Sequence, residues 1–334
     1  MERIGVIGAG AWGTALALAA RRADREVVLW ARDPELAAEI GTRHENPRYL
    51  PGVALDPEIR ATASLAEAAA CDALLLVTPA QAQREIAAAL APHLGPHSAL
   101  GRPLVVCSKG IERGSGQLMT EVLAEVLPGR TTAVLSGPTF ALEVARGLPT
   151  AVTLATEDAA LGAALVQALG SRAFRPYLSD DEVGAQIGGA VKNVIAIACG
   201  IVTGRKLGDN ARAALITRGL AEIARLGRAK GARPETLMGL SGLGDLTLTC
   251  TSTLSRNYSL GVALGEGETL EALMAGRRSV AEGVFSAGAA VALSRSLGVE
   301  MPIAGGVDAI LNQGAPIEAA IEDLLARPFR AEFP

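Results

Sequence analysis

The stretch RIGVIGAGAWGTALA, residues 3–17, decides the fold. Arg3–Ile7 is a short apolar run of strand type, and Gly8-Ala9-Gly10-Ala11-Trp12-Gly13 after it has the spacing GxGxxG. Gly13–Arg22 continues with helical periodicity, and a second strand pattern, Glu26–Trp30, follows at the distance of a βαβ unit. Each glycine has a physical job in such a unit. The first permits the tight turn, the second lets a pyrophosphate approach the backbone, and the third lets helix and strand pack closely. The start of the helix then offers unpaired N–H groups to the phosphates. The expectation is a dinucleotide held at Gly8, Gly10 and Gly13.

The second strand ends Trp30-Ala31-Arg32-Asp33. An acidic residue there would accept the ribose hydroxyls of NAD, whereas an arginine suits the extra phosphate of NADP. Asp33 is a good N-cap and Pro34 suits a first helical turn. That leaves Arg32 better placed, so the cofactor is NADP or NAD, with the arginine favouring NADP.

Outward from this unit the same texture continues. Strands are expected at Asp72–Thr78, Pro103–Cys107 and Thr131–Leu135, with Ala151–Ala155 and Ala173–Tyr177 as weaker signals. Helical patterns at Gln81–Ala91 and Gly116–Leu127 separate some of them. Alternation of apolar strands with helices predicts a mainly parallel sheet covered on both faces. Beyond about residue 180 the strand signal stops. Asp180–Thr203, Asp209–Lys230, Ser279–Leu297 and Pro316–Ala326 read as helices. The reading is an α/β domain over 1–180 followed by an all-helical domain over 181–334.

Composition narrows the function. A net charge of −4 gives no bulk attraction for nucleic acid or an anionic membrane surface. Cys71, Cys107, Cys199 and Cys250 form no CxxC pair, which fits reduced thiols in a cytoplasm better than zinc or disulfides. Met1–Ile7 is too short an apolar run for a secretory signal. Val194–Val202 falls short of the roughly 20 apolar residues of a membrane span and reads as a buried helix. His93 and His97 have helical ligand spacing, but Pro92, Gly95 and Pro96 spoil the helix, so no metal is expected. Of 31 basic residues only four are lysines, at 109, 192, 206 and 230, and no histidine lies beyond 97. Acid–base chemistry in the second half must therefore use lysine, a carboxylate, tyrosine or cysteine.

Two of those lysines stand out. Ser108-Lys109-Gly110 follows the strand Pro103–Cys107, at the carboxyl edge where open α/β sheets bind ligands. Ser136-Gly137-Pro138-Thr139 follows the next strand in the same way. Lys192 lies inside an otherwise apolar helix, where an ammonium is costly without a partner or a function. Further on come Gly242-Leu243-Gly244-Asp245 and Ser255-Arg256-Asn257, the latter combining a guanidinium, a hydroxyl and an amide. That set suits a phosphate dianion.

With these residues in view, the chain resembles the bacterial NAD(P)-dependent glycerol-3-phosphate dehydrogenases. The resemblance rests on GAGAWGTALA (8–17), NPRYLPG (46–52), SKGIE (108–112), LSGPTFALEVARGLPTA (135–151), GAVKN (189–193), GDNARAALITRGLAEIARLG (208–227), GLGDL (242–246), SRN (255–257) and VAEGV (280–284). It implies an N-terminal Rossmann-type domain, a helical C-terminal domain, and usually a homodimer. It implies interconversion of dihydroxyacetone phosphate and sn-glycerol 3-phosphate, which supplies phospholipid synthesis.

The resemblance also places residues. Lys192 stands at the proton donor and acceptor position, and Lys109, Gly137 and Thr139 at substrate contacts. Asp245, Ser255, Arg256 and Asn257 complete the substrate site, with Arg256 also near the cofactor. Ala11, Trp12, Arg32, Tyr49, Ala141, Val280 and Glu282 match nucleotide contacts. Asn193, next to Lys192 in the motif, is expected to help Lys109 polarise the carbonyl and hold Lys192. Two departures occur: Tyr258-Ser259-Leu260 stands where a further arginine is frequent, and Arg205-Lys206-Leu207 replaces a glycine-rich loop. The rival readings are a dehydrogenase of the 6-phosphogluconate or hydroxyacid type and a non-catalytic dinucleotide sensor. Intact Lys192, Lys109 and Asp245 disfavour the sensor, which needs no proton donor.

Overall fold

The computed structural model describes residues 1–95, 102–275, 282–329 and 331–332. Its first half is built on ten strands: β1 (Arg3–Ile7), β2 (Glu26–Trp30), β3 (Glu45–Asn46), β4 (Leu50–Ala54), β5 (Ile59–Thr62), β6 (Ala73–Leu76), β7 (Leu104–Val106), β8 (Thr132–Ser136), β9 (Thr150–Ala155) and β10 (Phe174–Ser179). Eight of them form one sheet in the order β10-β9-β8-β7-β6-β1-β2-β5, while β3 and β4 pair as a separate hairpin. All neighbours in the large sheet run parallel except β8 and β9. The strands β6 and β7 are buried throughout, as helices on both faces require.

All seven strands expected from the sequence lie in this sheet. The edge strand β5 and the β3–β4 hairpin were not expected. Their residues, Ile-Arg-Ala-Thr and a two-residue Glu-Asn segment, are too short and too polar to carry an alternation signal. The helix expected from Gly116 begins at Met119 instead. Gly114 and Gly116 both sit at positive φ, and the side chain of Glu121 turns back to accept from the Leu118 amide at 2.8 Å, which fixes the start.

Among the described residues no strand follows Ser179. The long helix Glu182–Gly204 is wrapped by Asp209–Lys230, Asp245–Thr251, Arg256–Glu266, Glu282–Ser296 and Pro302–Gln313. With 23 residues it has the length and hydropathy to cross a bilayer, but 89% of its apolar window is buried inside the protein. It is a core helix. Its close approach to Arg256–Glu266 rests on facing glycines. A methyl group on Gly200 would run into the Tyr258 carbonyl, and one on Gly261 into the Ile197 carbonyl. This contact carries Ser255-Arg256-Asn257 to the flank of the helix that bears Lys192.

The sheet order reverses between β1 and β6, because the chain goes outward through β2 and β5 before returning to β6. The crevice at such a switch, beyond the carboxyl ends of the strands, is where open α/β sheets bind ligands. The turns after β1, β6, β7 and β8 all open there.

Candidate active site

The turn after β1 shows why its glycines are needed. Gly8 has φ +123°, and a Cβ on it would press on the Val77 backbone at 3.0 Å. A Cβ on Gly13 would collide with the Gly8 carbonyl, whereas around Gly10 there is open space within 4 Å. The helix Ala11–Arg22 starts here with Gly10 as N-cap and no side chain capping it. The amides of Ala11, Trp12 and Gly13 therefore have no acceptor one turn earlier and face outward with the positive end of the helix dipole. The indole Nε1 of Trp12 is buried and has no hydrogen-bond partner. An open glycine backbone, three unpaired amides and an orphaned indole donor together fit an anionic dinucleotide.

At the end of β2 the side chain of Asp33 accepts from the Glu35 amide at 2.9 Å and also pairs with Arg48. It is committed as a helix cap, as its position implied. Arg32 beside it is exposed. Tyr49, in the turn between β3 and β4, is 43% exposed. Ala141 opens the short helix Ala141–Ala145, which packs on Ala11–Arg22. Val280 lies outside the described residues, as does His97.

The second cluster assembles from three distant segments. Lys109, just past β7, donates to the Gly137 carbonyl at 2.9 Å and to Asp245 Oδ2 at 2.7 Å, with Thr139 Oγ1 at 3.5 Å. Lys192 donates to Asp245 Oδ1 at 2.5 Å and to Thr249 Oγ1 at 2.7 Å. One fully buried carboxylate thus spans two ammonium groups, one from each half of the chain. Gly189 permits the meeting, because a Cβ there would lie 2.8 Å from Ser136 Oγ and 3.3 Å from the Lys109 stem. Burial pushes the Lys192 ammonium down to about 8; Asp245 opposes this and Lys109 adds to it. A group in that range can give or take a proton near neutrality.

Thr249 has no place in the sequence reading. The signal was there: Thr249 is four residues after Asp245, on the same helical face. Its hydroxyl donates to the Asp245 carbonyl at 2.6 Å, which turns an oxygen lone pair toward Lys192.

Asn193 does not hold Lys192. Its Oδ1 accepts from Asn257 Nδ2 at 2.9 Å, and Asn257 Oδ1 accepts from the Gly283 amide at 3.0 Å. The two asparagines instead link the three helices around the site. Ser255 Oγ accepts from the Tyr258 amide at 3.2 Å and so caps Arg256–Glu266, with Arg256 exposed in the first turn. Glu282, at the start of Glu282–Ser296, faces the same space. Burial pushes its carboxyl up, while Arg256, Lys109, the Ala80 amide and Lys192 pull it down. Tyr258, the first residue of the segment where the resemblance makes a further arginine frequent, is buried. Its hydroxyl lies 2.8 Å from Thr203 Oγ1 and accepts from Arg212 at 3.4 Å. Among the described residues no three histidines, cysteines or carboxylates gather as metal ligands.

A hydride-transfer enzyme needs a nucleotide cradle and, across a crevice from it, a group able to exchange a proton with a substrate oxygen. Both are present, one from the sheet and one mainly from the helical half, and they define a two-domain nicotinamide-dependent dehydrogenase.

Comparison with known proteins agrees in detail. The model for the NAD-dependent glycerol-3-phosphate dehydrogenase N-terminus matches residues 3–162, and that for the C-terminus matches 181–322. The glycerol-3-phosphate dehydrogenase [NAD(P)+] of Parvibaculum lavamentivorans is 61% identical over 331 residues, 99% of this chain and 98% of that protein. That of Rhodospirillum rubrum is 61% identical over 333 residues, 99% of this chain and 94% of its own. The crystal structure of glycerol-3-phosphate dehydrogenase from Coxiella burnetii superposes with a TM-score of 0.93 at 38% identity, covering 98% of this chain and 99% of that one. The chain belongs to the NAD-dependent glycerol-3-phosphate dehydrogenase family.

Proposed function

We propose that the protein interconverts dihydroxyacetone phosphate and sn-glycerol 3-phosphate, with NADP or NAD as the redox partner and Lys192 as proton donor and acceptor. The observation that carries this reading is the buried Lys192 amine, lowered to about 8 and aimed between Asp245 and Thr249 beside Lys109. When bound, the nicotinamide supplies the hydride for reduction and accepts it in oxidation. The amides of Ala11, Trp12 and Gly13 would hold the nucleotide's pyrophosphate, with Gly8 and Gly10 leaving room for it to approach. Arg32, Tyr49, Ala141 and Glu282 would complete the nucleotide contacts.

In reduction Lys192 would give its proton to the ketone oxygen of dihydroxyacetone phosphate, and in oxidation its free amine would take that proton back. Lys109, fixed by the Gly137 carbonyl and flanked by Thr139, polarises that oxygen and disfavours a second positive charge nearby. Asp245 keeps the ammonium form available and orients it. Asn193, locked to Asn257, ties the helix that bears Lys192 to the helix that bears Arg256. The substrate phosphate would sit at the start of Arg256–Glu266, where the exposed Arg256 guanidinium can meet it.

Residues 1–180 form the dinucleotide-binding domain and 181–334 the helical substrate-binding and catalytic domain, with Lys109, Gly137 and Thr139 reaching the substrate from the first and Glu282 reaching the nucleotide from the second. The enzyme works as a homodimer in the cytoplasm, a reducing setting that suits four buried thiols. Its product feeds phospholipid synthesis.

Initial rates with dihydroxyacetone phosphate are the direct test. Oxidation of both reduced nucleotides is expected, with the lower KM for NADPH because of Arg32. No oxidation above background with either would end the reading. Arg256→Ala is expected to raise KM for dihydroxyacetone phosphate by about tenfold to a hundredfold, the worth of a charge-assisted hydrogen bond. An unchanged KM would remove Arg256 from the phosphate site.

A further inference from the structure

We propose that Asn46 and Thr14 are positioning residues of the nucleotide site, holding the glycine-loop carbonyls away from the phosphates and tying the β3–β4 hairpin to that loop. The proposal rests on the nucleotide reading above and assigns it two residues that touch no ligand themselves.

Anion binding at a helix start is undone by any carbonyl turned toward the anion. Here the carbonyls of Ala9 and Gly10 are the danger, since they lie in the loop the pyrophosphate must approach. Asn46 is fully buried and donates through Nδ2 to the Ala9 carbonyl at 2.9 Å and to Thr14 Oγ1 at 2.8 Å. Thr14, also fully buried, donates its hydroxyl to the Gly10 carbonyl at 2.9 Å, and its amide reaches the same oxygen at 2.9 Å. Both carbonyls are thus engaged on the protein side. The donor pattern has only one solution: Ala9 and Gly10 carbonyls only accept, so the asparagine nitrogen and the threonine proton must point at them.

The third valence of the network looks outward. Asn46 Oδ1 accepts from the Tyr49 amide at 3.2 Å, which fixes the turn carrying Tyr49 relative to the loop carrying Gly10. The same buried amide therefore sets the phosphate cradle and the hairpin beside it as one unit. Nothing in this network reaches Lys109, Lys192 or Asp245, so its influence is confined to the nucleotide.

The test uses full-length Thr14→Val, which is isosteric but cannot bond, Thr14→Ser, which keeps the hydroxyl, and Asn46→Leu. Steady-state kinetics are measured with NADH or NADPH varied and then with dihydroxyacetone phosphate varied. Circular dichroism and Tm report folding. For Thr14→Val and Asn46→Leu, KM and Kd for the nucleotide are expected to rise about tenfold or more. KM for dihydroxyacetone phosphate and kcat at saturating nucleotide should stay within about twofold, and Thr14→Ser should regain most of the lost affinity. If Asn46→Leu does not fold, the Thr14 pair decides alone. Folded Thr14→Val with nucleotide KM within about twofold of the unaltered protein overturns the proposal, as does an equal rise in both KM values. If the unaltered protein binds neither nucleotide, the dehydrogenase reading falls first and this inference with it.

Discussion

Lys192→Ala is expected to lower kcat for dihydroxyacetone phosphate reduction by about 10²–10⁴-fold, the usual worth of a positioned general acid. Nucleotide affinity should be retained, because the glycine cradle lies on the other side of the crevice. The pH dependence makes the test sharper. Lys192 is lowered to about 8 by burial and by Lys109. Reduction needs the ammonium form, present below that value, so its rate should fall as pH rises through about 8. Oxidation needs the free amine, present above it, so its rate should rise through the same range. In Lys192→Ala both limbs should vanish. Asp245 keeps Lys109 as a counter-charge in this variant, so loss of activity is not expected to come from a stranded buried carboxylate. A variant that turns over at near the unaltered rate, or that keeps the same pH limbs, would remove Lys192 from the chemistry.

The ease with which the cradle could be read, and the difficulty of reading the proton site, have one cause. The glycine turn is local: strand, turn and helix start lie within residues 3–22, and the tightest demand, that of Gly13 against the Gly8 carbonyl, falls inside that span. Strands such as β6 and β7 were legible because burial on both faces writes an unbroken apolar run. The proton site has no such local signature. Lys109 and Asp245 are 136 positions apart, and Lys192 and Asp245 are 53 apart. Lys192 could be singled out because an ammonium among buried apolar residues needs a reason, and Lys109 because it follows a strand at the carboxyl edge of the sheet, with the scarcity of lysine adding weight to both. The partner that joins them sits in Asp245–Thr251, a threonine-rich segment of weak helix propensity. Packing against Glu182–Gly204 makes it helical, and packing is what a single sequence hides. The same holds for Asn193, whose place beside Lys192 in the sequence suggested a contact that the helix geometry does not make. Adjacent residues on a helix point about 100° apart, which sends Asn193 to Asn257 instead.

Asp245→Asn is the second large effect. The substitution keeps shape and removes the one negative charge lying 2.7 Å from Lys109 and 2.5 Å from Lys192. Two ammonium groups then face each other in a buried space. Breaking a buried ion pair commonly costs about 3–5 kcal/mol when the remaining charge has no outlet. Here an outlet exists, since Lys192 can shed its proton, so the loss of stability should fall below that range and the chemistry should absorb the rest. With Asp245 no longer favouring the ammonium, the Lys192 value should drop below about 8. At neutral pH most of the general acid is then missing, and reduction should slow by about a hundredfold, within the range that a general acid contributes. Unlike Lys192→Ala, this variant should recover as pH is lowered, because protonation restores the donor. Oxidation, which uses the free amine, should suffer less at neutral pH and lose its dependence on pH near 8. The two variants therefore separate the group that moves the proton from the group that sets when it can. If Asp245→Asn kept the pH limbs of the unaltered enzyme, the carboxylate would be a structural bridge between the halves and nothing more.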